Sequence, residues 1–262
     1  MRVHVVSDVH GNVSDLKRAG DGADALIVLG DLIDFVDYHD PRRGILGQVF
    51  GAEASRRFAH LRAVGGPGEL GSYLQSLWNR FDDPGPMVER AVREQYAEMF
   101  AALRVPTYAT PGNVDMPHLW TEFAGDGVTV VAGEVVEIGG LRFGFVGGAP
   151  LPPGVVPRRT GPWHPYVRAA EEFGAATAAL RDVDVLCSHI PPDVAELAYD
   201  TAARRFEASS AELLEIIGRD RPAAALFGHV HQPLSGRRRL GRTECVNVGH
   251  FARTGTPFVW SW

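Results

Sequence analysis

The chain has 262 residues, of which 45% are hydrophobic, and its formal net charge is −6. This size allows one large α/β domain or two small ones, and the acidic balance gives no support to a nucleic-acid or anionic-membrane binder. No apolar stretch approaches the roughly 18 residues of a membrane span, and Met1 leads directly into a strand-like run, so we expect a cytoplasmic protein without a signal peptide.

Five short apolar runs are predicted to form buried strands, and each run ends in a polar motif. The runs are 2–6, 25–29, 106–109, 183–186 and 223–227. The motifs that follow them are Asp8-Val9-His10, Gly30-Asp31, Gly112-Asn113, Ser188-His189 and Gly228-His229-Val230-His231. Because open α/β sheets bind ligands at the carboxyl ends of their strands, we expect these motifs to meet in one site.

The other predicted elements complete an α/β pattern. Residues 13–18 fit a helical turn with Asn12 as its N-cap. Residues 128–131, 135–138 and 141–146 predict a meander, with Gly139-Gly140 as a hairpin turn. Residues 243–248 and 258–262 are predicted to be closing strands, and 236–239 an exposed turn with solvated arginines. Cys187 lies in an apolar run, so we expect a buried thiol there rather than a disulfide.

Two segments are predicted to be insertions in a single domain that spans residues 1–262. Residues 36–103 contain no strand-like run and show helical spacing at 69–80 and 88–103. Residues 149–165 form a Pro-rich loop that contains Arg158, Arg159 and Trp163. Either segment is a candidate lid over the side where the motifs lie.

The polar residues of the five motifs form a consistent set of metal ligands. Apart from one serine they are Asp, Asn and His, with no Cys. Carboxylate, amide and imidazole groups suit two hard or borderline divalent cations, and a site with two such cations performs phosphoryl transfer. It polarises phosphate oxygens and makes hydroxide available near neutral pH by lowering the pKa of a bound water. The sequence therefore predicts a dinuclear metallophosphoesterase.

Individual residues have distinct expected places in this site. Asp31 follows Gly30, where the backbone can turn sharply, and is expected to bridge the cations and screen their repulsion. Asp8 and His10 project the same way from one loop and are expected to share a cation. The other expected ligands are Asn113, His189, and the pair His229 and His231. A single motif of this kind is common, but all five in this order are specific.

The order of the motifs resembles the calcineurin-like metallophosphoesterase family, whose pattern is Asp-x-His, Gly-Asp, Gly-Asn-His, a single His and Gly-His-x-His. The resemblance extends from Val3 to about Gly249. It implies a four-layer sandwich of two mixed β-sheets flanked by helices, with a dinuclear metal centre. One cation would be held by Asp8, His10, Asp31 and His231, and the other by Asp31, Asn113, His189 and His229. The family implies Mn, Fe, Zn, Ni or Co, with Mn²⁺ favoured in bacterial members.

One position departs from the family pattern, because Val114 stands where His usually follows Gly-Asn. That His is thought to protonate the leaving oxygen, and a general acid is typically worth 10²–10⁴-fold in rate. Some bacterial phosphodiesterases of the family carry Cys there, and this chain is similar to that branch. His118 and His250 are the candidates to replace the acid. Candidate phosphate contacts are Asn113, which is also a candidate catalytic residue, His250 and Asn12.

We therefore predict a phosphodiesterase that acts on a small phosphate ester such as a nucleotide. The alternative enzyme is a phosphomonoesterase, including a protein Ser/Thr phosphatase, and the lost acid His argues mildly against it. The alternative of another class is a non-catalytic interaction scaffold, although all seven ligand positions are filled here. The sequence leaves the physiological substrate, the metal and the oligomeric state open.

Overall fold

The computed structural model describes residues 1–66, 68–157 and 161–262, and two large β-sheets lie at its centre. In the described part of the chain the strands are, in order, β1 (Arg2–Val6), β2 (Ala25–Val28), β3 (Thr107–Ala109), β4 (Val128–Val130), β5 (Val135–Ile138), β6 (Leu141–Val146), β7 (Ala149–Pro150), β8 (Val167–Arg168), β9 (Val185–Ser188), β10 (Tyr199–Asp200), β11 (Arg205–Phe206), β12 (Ala224–Phe227), β13 (Arg237–Leu240), β14 (Thr243–Asn247) and β15 (Phe258–Ser261). The first sheet has the order β15-β1-β2-β3-β4 and the second the order β13-β14-β12-β9-β6-β5. The remaining strands form two short pairs, β7 with β8 and β10 with β11.

Each large sheet is mixed, with antiparallel strands confined to its edges. In the first sheet β1, β2, β3 and β4 run parallel, and β15 pairs antiparallel with β1. In the second sheet β14, β12, β9 and β6 run parallel, and β13 and β5 are antiparallel. The carboxyl ends of the parallel strands therefore lie at one edge of each sheet, and the polar motifs begin there.

Alternate residues of the central strands pack into different apolar cores. In β1, Val3 and Val5 belong to the core between the sheets, whereas Val6 faces helices. In β12, Leu226 belongs to the core between the sheets, whereas Phe227 faces the helices on the far side. A strand buried on both faces needs apolar residues throughout, which explains the continuous apolar runs in the sequence. The layers are helix, sheet, sheet and helix, which confirms the predicted four-layer α/β sandwich.

Helices cover both outer faces of the sheets. Within the described ranges they are α1 (Val13–Leu16), α2 (Gly44–Phe50), α3 (Ala52–Val64), α4 (Glu69–Trp78), α5 (Gly85–Ala102), α6 (Ala170–Ala178), α7 (Ala195–Ala198), α8 (Ala211–Asp220) and α9 (Phe251–Thr254), with a 3-10 helix at Pro117–Glu122. Helices α2 to α5 pack on the first sheet through side chains such as Phe58 and Tyr96, and α6 and α8 pack on the second through Phe173 and Ile216. None of the helices in these ranges has the length and apolar character of a membrane-spanning segment.

Most predicted elements occur close to their expected bounds. Helices α2 to α5 occupy the segment predicted to be helical, and Gly139 and Gly140 form the expected turn between β5 and β6, with φ of 56° and 81°. Cys187 is a free, buried thiol, as predicted. The division into one domain with two insertions stays a prediction. In the predicted Pro-rich loop, Arg158 and Arg159 lie outside the described residues.

Two predictions about strands were wrong. The three-stranded meander does not form, because β4 joins the first sheet beside β3 whereas β5 and β6 join the second. An alternating apolar pattern marks a strand but does not say which sheet it joins. Residues 236–239 are not a turn either, since β13 forms the edge of the second sheet there, and its residues Arg237, Arg238 and Arg239 are exposed. Edge strands tolerate charged residues, so these arginines carried no strand signal.

Candidate metal centre

The predicted metal ligands lie on loops at the carboxyl ends of strands from both sheets. Asp8 and His10 follow β1, Asp31 follows β2 and Asn113 follows β3, whereas His189 follows β9, and His229 and His231 follow β12. The two sheet edges lie close together at the site, as shown by the backbone N–H of His229, which donates to Asp8 Oδ2 at 2.9 Å. The structure thus brings all seven predicted ligands to one edge of the molecule.

One half of the site is formed by two imidazoles around Asp8. His231 Nε2 lies 3.3 Å from Asp8 Oδ1 and 3.4 Å from His10 Nε2. His10 Nε2 lies 3.9 Å from both Asp8 Oδ1 and Asp31 Oδ2. The ligand atoms of Asp8, His10 and Asp31 are within 4.8 Å of one another, so one cation can reach all three.

The other half of the site is formed by Asp31, His189 and His229, whose ligand atoms also lie within 4.8 Å of one another. Asp31 Oδ1 is 3.5 Å from His189 Nε2, and Asn113 Oδ1 is 2.9 Å from the same nitrogen. The two oxygens of Asp31 therefore face different halves, Oδ2 toward His10 and Oδ1 toward His189. This is the arrangement expected of a carboxylate that bridges two cations.

Two histidine rings are oriented by backbone carbonyl groups behind them. His189 Nδ1 lies 2.7 Å from the Leu29 oxygen, and His10 Nδ1 lies 3.3 Å from the Ile33 oxygen. A carbonyl oxygen only accepts, so Nδ1 carries the proton of each neutral ring and Nε2 turns a lone pair toward the site. The Nε2 lone pair of His189 faces Asn113 Oδ1, which is also an acceptor. Two acceptors this close repel each other, and a cation bound to both would stabilise them.

Two ligand atoms are buried without a hydrogen bond in the described part of the structure. They are Asp8 Oδ1, which lies 3.3 Å from His231 Nε2, and His229 Nε2. A buried polar atom without a partner costs about 1–3 kcal/mol. Asp8 and His229 each belong to a group of residues whose ligand atoms lie within 4.8 Å of one another, where divalent cations would stabilise the buried groups. The residues present therefore fit a metal centre.

The backbone of the ligand loops is strained. Asp8, His10, Asp31 and His229 have φ of 56°, 38°, 53° and 68°, in the left-handed region that residues with a Cβ rarely adopt. Such strain persists only where the surrounding structure holds it, and it concentrates at functional sites.

Motif glycines allow the close approach of these loops. A Cβ at Gly112 would overlap Asp31 Oδ1, and one at Gly228 would overlap Ser7 Oγ and Asp8 Oδ2. Glycine is therefore required at both positions by packing rather than by local conformation.

Asp115 braces the loops that carry Asp31 and Asn113. Its Oδ1 accepts hydrogen bonds from Leu32 N at 3.1 Å and from the Tyr96 hydroxyl at 3.2 Å, and its Oδ2 accepts from Gly112 N at 2.8 Å. Burial, and then the negative charge of Asp31, raises the pKa of Asp115 to about 7.

The electrostatics of the site reflect burial and the proximity of carboxylates to imidazoles. Burial acts to raise the pKa of Asp8, but the hydrogen-bonding and positive charge of the adjacent His231 imidazole outweigh it and hold that pKa well below its ordinary value. Burial acts to lower the pKa of His231, but Asp8 outweighs it and raises that pKa. Burial, and then the charge of His189, lowers the pKa of His229 well below its ordinary value. His229 is therefore neutral at pH 7 and available as a ligand.

Val114 has a structural place next to the site. Its backbone N–H donates to Asp31 Oδ1 at 3.0 Å, and its carbonyl accepts from Trp163 Nε1 at 3.1 Å. The Val114 side chain packs against the apolar core under the helices. Trp163 in turn stacks on Phe35, with ring centroids 3.8 Å apart. Trp163 therefore joins the predicted Pro-rich loop to the loop after β2.

The structure separates the two candidates for the missing acid. His250 stacks on His231 with ring centroids 3.8 Å apart, and its ligand atom lies within 4.8 Å of those of His10 and His231. Burial, and then the charges of His231 and His10, lowers the pKa of His250 to about 3. His118 is exposed on the 3-10 helix, and no hydrogen bond or ring contact among the described residues links it to the ligand cluster. The geometry therefore favours His250 over His118.

Asn12 is occupied as the N-cap of α1. Its Oδ1 accepts from Asp15 N at 3.2 Å, and its Nδ2 donates to Asp15 Oδ2 at 2.9 Å. These bonds use the amide group within α1, and a phosphate contact by Asn12 stays a prediction.

Two residues that support the site did not emerge from the sequence. Asn247 Nδ2 donates to the Val230 oxygen at 2.9 Å and so holds the loop between His229 and His231. Arg62 on α3 contributes to the electrostatics of the site, since its charge is among the causes that lower the pKa of His229. Asn247 could have been noticed because it lies two residues before Gly249, close to His250. Nothing in the sequence pattern around Arg62 indicates a role for that residue.

Comparison with known proteins gives one family and one fold. The family described as calcineurin-like phosphoesterase matches residues 1–233. One solved crystal structure aligns with 95% of this chain and 91% of its own at 17% identity and a TM-score of 0.58. The crystal structure of TT1561 from Thermus thermophilus aligns with 99% of this chain and 98% of its own at 16% identity and a TM-score of 0.56. No curated protein sequence matches the chain significantly. At these identities the structural likeness shows the fold alone.

Proposed function

The chain belongs to the calcineurin-like phosphoesterase family, and from that premise we propose that it is a dinuclear-metal phosphodiesterase. Its substrate in this proposal is a small phosphodiester such as a nucleotide ester. Manganese is the proposed metal. The family itself implies a hydrolase of phosphate esters, and the preference for diesters is the proposed step beyond it.

The observation that supports this proposal most strongly is Asp31, whose Oδ2 lies toward His10 and whose Oδ1 lies toward His189. Asp8 and His229, which both have a buried ligand atom without a hydrogen bond, belong to different halves of the site, and Asp31 belongs to both. When bound, two cations would polarise the phosphate oxygens and supply the hydroxide nucleophile.

The residues of the chain would divide the remaining work. Asp8, His10, Asp31 and His231 would hold one cation, and Asp31, Asn113, His189 and His229 the other. His250, stacked on His231, lies where its neutral N–H can donate to a phosphate oxygen and orient the ester. Asn113 would orient the same group from the other side. His250 and Asn113 would thus hold and orient the phosphate, and neither would need to give up a proton.

Val114 supports a diester substrate. Its side chain cannot donate a proton, and its backbone is fully used in holding Asp31 and Trp163. An enzyme without a general acid at this point acts best on esters whose leaving group departs with little help. Monoesters with alkoxide leaving groups need that help most, so the geometry favours phosphodiesters.

The test is the hydrolysis of bis(4-nitrophenyl) phosphate and 4-nitrophenyl phosphate by protein purified without chelator and supplied with Mn²⁺. We expect about two metal ions per chain and a kcat/KM for the diester at least about tenfold above that for the monoester. Asp31→Asn should lose metal and at least about a hundredfold in kcat/KM, because the bridge loses its charge. Asp21→Asn, which changes an exposed carboxylate, is the matched control and should behave as the wild type.

Each other result has a definite meaning. A faster monoester reaction would favour the phosphomonoesterase alternative. A protein that binds metal in less than one equivalent and hydrolyses neither ester would favour the interaction scaffold.

A further inference from the structure

A cluster of two arginines and one glutamate is connected to the segment that follows His231 and has no part in the reaction proposed above. Its members are Arg62 on α3, Arg205 on β11 and Glu207 just after β11. Glu207 Oε1 accepts from Arg205 Nε at 2.7 Å, and Glu207 Oε2 lies 3.5 Å from Arg62 Nη2. Arg205 Nη1 also donates to the Arg62 carbonyl oxygen at 2.9 Å. The cluster therefore joins the helices after β2 to the short hairpin of β10 and β11.

The hairpin is fixed to the loop that carries His231. Thr201 N donates to the Gln232 oxygen at 2.8 Å, and Gln232 N donates to Asp200 Oδ2 at 3.1 Å. Since Gln232 directly follows His231, these bonds hold the hairpin, and with it the cluster, against the metal side of the molecule.

The two arginines differ in how firmly they are held. Arg205 has a short hydrogen bond to Glu207 and another to a backbone oxygen, and its side chain is 34% exposed. The Arg62 side chain is 45% exposed, and its contact with Glu207 is long, at 3.5 Å. The Arg62 guanidinium also lies near the Tyr38 hydroxyl, a neutral group. A guanidinium carries five N–H donors, more than the contacts with Glu207 and Tyr38 can use, so Arg62 can also bind a ligand.

The charge of the cluster is not balanced within it. Two guanidinium groups face one carboxylate, so one positive charge remains on the side of Arg62. Arginine binds phosphate and carboxylate groups through two parallel N–H bonds, which suits it to recognise a second anionic group on a substrate.

We propose that Arg62 is a specificity-determining residue, which binds a second phosphate or carboxylate group carried by the substrate beyond the phosphodiester that is cleaved. Arg205 and Glu207 are positioning residues that set the direction of the Arg62 side chain. The preferred substrate class is therefore a phosphodiester with an additional terminal anionic group. This inference rests on the phosphodiesterase function proposed above.

The test uses two esters that differ only in the second anionic group. They are thymidine 5′-(4-nitrophenyl phosphate) and the same compound with a 3′-phosphate, and release of 4-nitrophenolate is measured with the Mn²⁺-loaded protein. We expect the wild type to favour the 3′-phosphorylated ester by at least about tenfold in kcat/KM, chiefly through KM. Arg62→Gln should remove most of that preference, and Arg62→Lys should retain part of it, because lysine keeps the charge without the bidentate geometry.

Arg57→Gln is the matched control, since Arg57 is exposed on the same helix and belongs to no part of the cluster. It should keep the wild-type preference. A wild type that treats both esters alike, or an Arg62→Gln variant that keeps the preference, would overturn the proposal. So would an equal loss on both esters, which would indicate a merely structural role.

The failure of the proposed function can be distinguished from the failure of this inference. If the wild type cleaves neither ester, the phosphodiesterase proposal fails, and the subsite is judged by calorimetric binding of thymidine 3′,5′-bisphosphate to the Mn²⁺-loaded protein. A dissociation constant at least about tenfold weaker in Arg62→Gln than in the wild type supports the subsite. Equal constants overturn it.

Discussion

The motif glycines show how single atoms set the geometry of the metal centre. Gly228→Ala places a Cβ against Ser7 Oγ and Asp8 Oδ2, so the loops that carry Asp8 and His229 must move apart. We expect a loss of about 1–3 kcal/mol in the free energy of unfolding, together with a lower metal content. Denaturant titration and metal analysis of the purified variant measure the two effects.

A second glycine provides the control for this prediction. Gly218 is an exposed residue on α8, and a Cβ there would meet nothing within 4 Å. Gly218→Ala should stabilise the protein by about 0.5–1 kcal/mol and leave the metal content unchanged, because alanine is the better helix former. If both alanine variants behave alike, the close packing at Gly228 does not matter for the site.

Asp34 is a partly buried carboxyl group whose ionisation opposes folding. Burial, and then the negative charge of Asp37, raises its pKa to about 7. The unfolded chain has the ordinary lower pKa, so the folded state holds the proton more tightly between about pH 4 and pH 7. Stability is therefore lost as the pH rises through this window, and the whole loss is present above pH 7.

Asp34→Asn removes this penalty. The variant should match the wild type in unfolding free energy below about pH 3 and exceed it by up to about 4 kcal/mol at pH 8. Urea titrations of the chelated proteins at several pH values check the trend, with Asp21→Asn as the exposed control. If the difference in unfolding free energy between Asp34→Asn and the wild type does not grow as the pH rises, the ionisation of Asp34 does not oppose folding.

The contact between Trp163 and Val114 connects two elements that are far apart in the chain. Trp163→Phe keeps a ring that can stack on Phe35 but loses the N–H that donates to the Val114 oxygen. Because the next bond in this chain of contacts runs from Val114 N to Asp31 Oδ1, the loss reaches the proposed bridging carboxylate. We expect a cost of about 1 kcal/mol in stability and a fall of about three- to tenfold in kcat/KM.

Trp262 offers a matched control at the opposite end of the sheets. Its Nε1 donates to the Gly139 oxygen at 3.1 Å, at the hairpin that precedes β6. Trp262→Phe should cost a similar amount of stability, while kcat/KM for the diester stays at the wild-type value. Equal kcat/KM values for the two variants would show that Trp163 only joins the loops and does not support the site.

The strands that carry the ligands were predictable because their physics is local. Strands β1, β2 and β12 are buried on both faces, so each is an unbroken apolar run, and a polar motif after such a run marks the end of the strand. The pairing of β4 was not predictable, since its alternating pattern fits either sheet. The strand β13 was missed because an exposed edge tolerates Arg237 to Arg239.

The ligand set was predictable at the level of the whole molecule, whereas its surroundings were not. Asp8, Asp31 and His229 were predicted as ligands from residue type, spacing and order, and the structure brings each of them into a group of close ligand atoms. Trp163 contacts Val114, 49 residues away in the chain. Arg62 contacts Glu207, 145 residues away. No periodic or local signal in a single sequence encodes such contacts.

Metal binding should stabilise the molecule as a whole, because the two sheets contribute ligands to the same centre. His189 and His229 come from the second sheet and Asp31 from the first, so bound cations connect the sheets at the edge where they meet. Free metal at a hundredfold excess over its dissociation constant contributes about 2.7 kcal/mol for one site. For a chain of this length that corresponds to a rise in Tm of about 5–10 °C.

The measurement compares the chelated protein with and without added Mn²⁺ by differential scanning calorimetry. The wild type and Asp21→Asn should show the full rise in Tm, whereas Asp31→Asn should show little of it, because its neutral amide cannot screen two cations. Mg²⁺, added at the same concentration, should raise Tm less, since it binds imidazole ligands poorly. A Tm that does not respond to Mn²⁺ in the wild type would contradict a metal centre shared between the sheets.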